Sequence, residues 1–347
     1  MSRPGSAWLM VSSIVGWLLW SLHGTAGLAW GDRATQYTLT DLGPTTVLAL
    51  SKSDMTAVGY HFSNGQVLAA QLAPTFRSLG TLPNGLSSRA LGVADGQIVG
   101  YSFDEHVQHA VLWTTDGGVV DLSARVDEPE LNTATATNGT DIAGLTTVPI
   151  ILVGGTSLRE LPMPDGAHGY IYVLNDAGDA VGYTSTPTGG IQCAFWPVSG
   201  GVVPCVPPTE RGNSAAKDIN NVGEIVGYTD EPGATRGFVW RPGSDLTLLP
   251  PLPDATRSEA ASINDAGAIV GRSYAPGACG TCPPSPQAAV LWRQGQPLDL
   301  QAAVINGDGW ELVEAIGINN DGVIVGRGTF QGQPRSWLLT PTTALGK

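Results

Sequence analysis

Apolar residues in this chain come in short bursts cut by turn formers. One well-formed unit shows four of them: "AASIN" (260–264), "AIVGRS" (268–273), "AAVLW" (288–292) and "PLDL" (297–300). Together they are rich in β-branched and aromatic residues and are separated by Gly, Asn, Asp or Pro turns, which predicts short strands. No stretch after residue 32 keeps apolar positions at sustained helical spacing. The first burst has counterparts in "AKDIN" (216–220), "AIGIN" (315–319) and "YVLN" (172–175). The third recurs as "HAVLW" (109–113), "CAFW" (193–196), "GFVW" (237–240) and "SWLL" (336–339), and the fourth as "VVDL" (119–122).

An apolar–Gly step marks every unit. It falls at Val58-Gly59, Val99-Gly100, Ala143-Gly144, Val181-Gly182, Val226-Gly227, Val270-Gly271 and Val325-Gly326 (58-59, 99-100, 143-144, 181-182, 226-227, 270-271, 325-326). The glycines are 41, 44, 38, 45, 44 and 55 residues apart. Such a period belongs to propellers and solenoids. Turns such as "NDAG" (264–267), "NNDG" (319–322) and "NNVG" (220–223) pair Asn or Asp, which bond back to the local backbone, with a Gly at positive φ. The step glycine suits a bulge or a close backbone approach. A recurring Ala (90, 134, 216, 260, 315) suits a first strand near a crowded axis. Trp113, Trp196, Trp240, Trp292 and Trp337 recur once per unit and are expected between adjacent sheets; an exposed carbohydrate-stacking platform is the rival role. Copies one and three carry Leu72 and Val153 nearby instead.

The seventh unit lacks a fourth burst, while "YTLTDLG" (37–43) reads as an orphan fourth strand. Joining the two closes a ring and removes exposed edges. The expected fold is all-β: a seven-bladed β-propeller of four-stranded antiparallel blades, its last blade completed by strand 37–43. Residues 30–347 then form one propeller domain.

Composition agrees with strands and turns, with 46 Gly and 25 Pro in 347 residues. A formal net charge of −13 disfavours nucleic acid and anionic lipid as partners. Residues 1–31 hold one charge, Arg3, ahead of the apolar run "AWLMVSSIVGWLLWSL" (7–22) and the small residues of "HGTAGLAWG". This predicts a secretory signal over residues 1–29, with Ala26 and Ala29 as candidate cleavage points. An uncleaved membrane anchor is the rival, since Pro4 to Gly31 is long enough to span. The mature protein is expected outside the cytoplasm, secreted, periplasmic or on the cell surface, and monomeric.

Four cysteines in an exported chain predict disulfides. Cys193 and Cys205 are placed symmetrically about Ser199, beside the Gly200-Gly201 turn, so they face each other on a hairpin. Cys279 and Cys282 form "CGTC" in a proline-rich insertion and are expected to pair as a small structural disulfide. No cofactor and no metal is expected. The turns lack the alternating carboxylates of a calcium loop, and "HVQH" (106–109) is not a zinc-protease signature. No nucleophile elbow or phosphate-binding loop appears.

The units resemble the HAF family of probable extracellular repeats of bacterial secreted proteins. The likeness rests on the A-x-x-I-N-x-x-G-x-x-V-G core of "AASINDAGAIVG" and "AIGINNDGVIVG" and on the strand that follows, over about residues 37–341. No copy carries His-Ala-Phe itself; "HAV" (109–111) and "CAF" (193–195) come nearest. The resemblance implies export and repeats and supplies no catalytic residues. The expected function is a non-enzymatic extracellular binding or scaffolding module for a polysaccharide or protein. The alternative is a hydrolase or lyase acting on an extracellular polysaccharide through carboxylates at the channel. Asp218 is the one candidate site residue, a charge where other copies have Val173, Ser262 and Gly317.

Overall fold

Seven antiparallel sheets of four strands succeed one another along the chain. This is a computed structural model, and it describes residues 35–128, 130–187, 189–206, 212–231, 233–275 and 287–342. The expected signal segment 1–29 and the pair Cys279 and Cys282 lie outside the described residues. The first strand of each blade is innermost: Thr45–Leu50, Ser87–Ala94, Thr133–Thr137, Gly169–Leu174, Ser214–Ile219, Arg257–Ile263 and Trp310–Ile318. Each touches the first strand of the next blade, and the seventh touches the first, so the ring is closed.

Closure uses the N-terminal strand, Tyr37–Asp41. It pairs antiparallel with Gln333–Pro341, from Tyr37 opposite Pro341 to Asp41 opposite Trp337. The Leu42 N–H extends the ladder to the Ser336 carbonyl at 2.9 Å. Every blade therefore has four strands, including the third, whose sequence departs most from the repeat.

The apolar–Gly step has a specific mechanical role. In every blade the innermost strand bulges by one residue, opposite the step. The step glycine pairs with the residue just before the bulge: Gly227 with Ala216, Gly271 with Ala260, Gly100 with Ala90. A Cβ on Gly227 would run into the carbonyl oxygen of Ala215, and one on Gly271 into that of Glu259. Only glycine allows this approach.

The recurring alanines lie in the innermost strands, as expected. They are buried between blades: Ala260 packs with Val226 and Leu249 of the preceding blade, and Ala216 with Val181 and Phe195. The inner strands of neighbouring blades converge there, and a methyl fills the gap. The five tryptophans are buried in the same layers, Trp292 and Trp337 completely, which leaves no exposed stacking face. Four donate their indole N–H to a carbonyl, as Trp292 does to Pro250 at 2.8 Å.

The turn asparagines do more than shape hairpins. The Asn264 side-chain oxygen accepts from the Ala268 N–H at 2.9 Å, the expected local bond. Its amide also crosses to the next blade, donating to the Asn319 carbonyl at 3.0 Å. The same crossing runs from Asn138 to Asn175, Asn175 to Asn220, Asn220 to Asn264, and Asn319 to Asp54. Thr137 to Gln97 and Ser53 to Asp95 link the two remaining neighbours, so this belt spans every blade interface.

Two short helices depart from the strand expectation. "VVDL" and "PLDL" give strands Val119–Asp121 and Gln296–Asp299, then turn into helices Leu122–Val126 and Leu300–Ala303. Asp121 caps the first by accepting from the Ser123 and Ala124 N–H groups; Asp299 caps the second through Gln301. Cys193 and Cys205 form the expected disulfide on the hairpin between the third and fourth strands of the fourth blade, with Cα atoms 5.4 Å apart. Among the described residues no helix is long and apolar enough to cross a membrane.

Candidate functional site

The bulge sends one side chain per blade into the central channel. These are Leu48, Leu91, Thr135, Tyr172, Lys217, Ala261 and Ile316, and all seven line one cavity of about 330 Å³. The chain thus uses its most regular element to present its most varied residues. Next to each bulge, toward the start of the inner strand, lies a cross-strand pair. It joins the second residue before the bulge to the residue just after the step glycine. Around the ring these pairs are Thr46 and Tyr60, Arg89 and Tyr101, Thr133 and Leu145, Tyr170 and Tyr183, Ala215 and Tyr228, Glu259 and Arg272, Glu314 and Arg327.

Tyrosines dominate one side of this mouth. Tyr170 stacks on Tyr183 with ring centres 6.0 Å apart, and Tyr172 lies 4.9 Å from Tyr170. Burial pushes the phenols up, Tyr170 and Tyr228 to about 12, so they stay neutral donors at physiological pH. The opposite side is charged. Arg272 grips the Glu259 carboxylate through Nε and Nη2, at 3.2 and 2.7 Å, while the Tyr274 hydroxyl donates to Glu259 at 2.6 Å. Arg327 holds Glu314 at 2.6 Å, and Arg272 also reaches Glu314 at 4.0 Å.

Lys217 stands between the two sides. Its ammonium lies 3.8 Å from the Tyr172 ring centre and 5.7 Å from that of Tyr228. It makes no ion pair among the described residues. Desolvation lowers its pKa, against the opposing pull of Glu259 and Glu314. Lys217 thus shares the cavity wall with three carboxylates, Asp218, Glu259 and Glu314, which are ion-paired with Lys52, Arg272 and Arg327. Thr135 adds an unusual feature: its hydroxyl is buried, lines the cavity and has no hydrogen-bond partner among the described residues.

Asp218 lies one residue beyond the bulge of the fifth blade, toward the other end of the channel. Its carboxylate accepts from Ser262 Oγ at 2.6 Å, from the Ile263 N–H at 2.9 Å and from Lys52 Nζ at 2.5 Å. Lys52 comes from the first blade and also donates to Ser262 Oγ and the Ile263 carbonyl, with the Ile318 carbonyl of the seventh blade at 3.4 Å. Asp218 therefore anchors a lysine that lies across the channel. The histidines of "HVQH" are used separately. His109 sits between Asp121 at 3.2 Å and Asp104 at 3.5 Å, while the His106 N–H caps Asp104. Among the described residues no group of three His, Cys, Asp or Glu side chains is placed to hold a metal ion.

The mouth residues escaped sequence reasoning because they occupy positions the repeat leaves free. A signal was present nonetheless: the residue after each step glycine reads Tyr, Tyr, Leu, Tyr, Tyr, Arg, Arg. All but Leu145 are large, polar side chains at one register position.

No family model and no curated protein matches the chain. Solved structures do. The chain is similar to oligogalacturonate lyase from Vibrio parahaemolyticus, with 10% identity over 90% of this chain and 96% of that one and a TM-score of 0.56. It is also similar to virginiamycin B lyase from Staphylococcus aureus, with 12% identity over 88% and 99% and a TM-score of 0.53. A third likeness is to the β-propeller domain of the Trilobed protease from Pyrococcus furiosus, with 10% identity over 89% and 97% and a TM-score of 0.51. The fold is shared. At such identities chemistry does not follow from it.

Proposed function

We propose that this protein is an exported, non-enzymatic binding module whose ligand docks in the tyrosine-lined mouth of the channel. One observation carries the reading: a repeated scaffold presents one side chain from each blade, of six kinds in all, to a single cavity. Invariant backbone with variable lining is how a propeller builds recognition. Aromatic rings beside neutral hydroxyl donors suit a ligand with both apolar faces and polar edges. Against hydrolysis, Glu259 and Glu314 are each held by arginine, so neither carboxyl is free to approach a glycosidic oxygen. Export is supported by the Cys193–Cys205 bridge, which persists in oxidising compartments. The likeness of the units to HAF repeats points the same way.

The test uses protein recovered from an oxidising compartment and a panel of cell-envelope and matrix polysaccharides. Retained protein and released reducing ends are both measured. The expected outcome is retention without product, reduced at least about tenfold in affinity by Tyr172→Ala, as loss of a ring contact and its buried area predicts. Release of reducing ends would replace this reading with a polysaccharide-cleaving one, and Glu259 and Glu314 would then be the first residues to neutralise.

A further inference from the structure

We propose that the ligand of this mouth is an acidic saccharide, with Lys217 receiving its carboxylate and Tyr172 lying against its ring. The inference rests on the binding-module reading and deepens it by naming a ligand class.

Three observations converge. The first is charge. The wall carboxylates Asp218, Glu259 and Glu314 are ion-paired with Lys52, Arg272 and Arg327, which leaves Lys217 as a lining cation without an ion pair among the described residues. The second is geometry. Lys217 projects from the bulge of the fifth blade, and Tyr172 from that of the fourth, so both are fixed in the cavity wall by backbone distortion. With the Tyr172 face on one side, the ammonium is left to seek an anion from the cavity. A half-buried ammonium without an acceptor is costly, and a carboxylate is the group that answers it. The third is the Thr135 hydroxyl, buried in the same wall and unpartnered, which matches a saccharide hydroxyl.

The tyrosines decide between a sugar and a bare anion. A phosphate or sulfate site is built from converging N–H groups and guanidinium forks. Here the cation is bordered by Tyr170, Tyr172 and Tyr228, a surface made for the C–H face of a ring. The ammonium without an ion pair also favours an anionic over a neutral glycan in solutions of low ionic strength.

The experiment compares the full protein with a mannuronate hexamer and with neutral mannohexaose by isothermal titration calorimetry. Wild-type protein is expected to bind the acidic hexamer at least about tenfold more tightly, the range of one charge-assisted hydrogen bond. Lys217→Gln should remove that preference, bringing the affinities for the two hexamers within about twofold of each other. Lys217→Arg should keep most of it. Thr135→Val should weaken both ligands several-fold. Thermal melts within a degree or so of wild type would show that the variants are folded. Equal binding of the two hexamers, or a preference that survives Lys217→Gln, would overturn the proposal. So would equal binding of poly-glutamate, which would make the site one for carboxylates at large. Binding of neither hexamer also overturns it, whereas retention of a neutral polysaccharide in the panel would leave the binding-module reading standing.

Discussion

Lys217 and its neighbours fix how the mouth responds to pH. The ammonium is faced by Tyr172 and Tyr228, with Glu259, Glu314 and Arg272 contributing through space. Desolvation is the largest influence and lowers the lysine below its usual 10.5. Its charge is lost as pH rises through that lowered value, so affinity for an acidic ligand should fall before ordinary lysines titrate. The tyrosines move the other way: Tyr170 and Tyr228 rise to about 12, and burial also raises Tyr172 and Tyr183. A phenol raised in the folded state stabilises the fold fully below pH 10 and loses that contribution as pH climbs toward 12. Titration calorimetry beside tyrosinate absorbance should therefore show binding decline first, with the phenols still neutral. A coincident loss would mean that binding fails through the fold rather than through Lys217.

At the scale of the element, the bulged pair of inner strands is the unit that repeats. Gly227→Ala forces a methyl against the Ala215 carbonyl and should cost about 1–3 kcal/mol, the range for overpacking, read as a lowered denaturation midpoint in urea. Gly65→Ala reports a different cost: its Cβ meets nothing, but φ is +80°, so any loss there is backbone strain rather than overpacking. Much of this element was legible beforehand because its causes are local. The step glycine, the "NDAG" turn and the period between them all lie within about a dozen residues of "SINDAGAIVG". The Asn264 crossing to Asn319 was not legible, since its partner lies 55 residues away on another blade. The helix at Leu122 escaped for the opposite reason: a single turn is too short to show a period, and only the Asp121 cap announces it. The site fell between these cases. Tyr60, Tyr183 and Arg272 share a register position, but which face that position served depended on a bulge that only the paired strands reveal.

At the scale of the whole molecule, the ring is held by the strand Tyr37–Asp41 at one seam and by Lys52 across one end of the channel. Removing residues 37–42 strips a hydrogen-bonded edge from the seventh blade and exposes Trp337 and Leu339, both fully buried in the intact ring. The shortened protein should unfold at lower denaturant and self-associate, as size-exclusion chromatography would report, because an uncovered strand edge templates pairing. A monomer of unchanged stability would show that the seam contributes little.

The seam also orders events in time. Strand Tyr37–Asp41 waits for a partner that is made only with the seventh blade, since Tyr37 meets Pro341 and the Gln36 carbonyl accepts from the Thr342 N–H at 2.9 Å. Six blades are assembled from contiguous chain and can form as they emerge. The seventh cannot, so the ring completes only when both ends are present together. A chain cut short before Gln333 offers Tyr37–Asp41 no partner, so the closed ring reports that the seventh blade has been made.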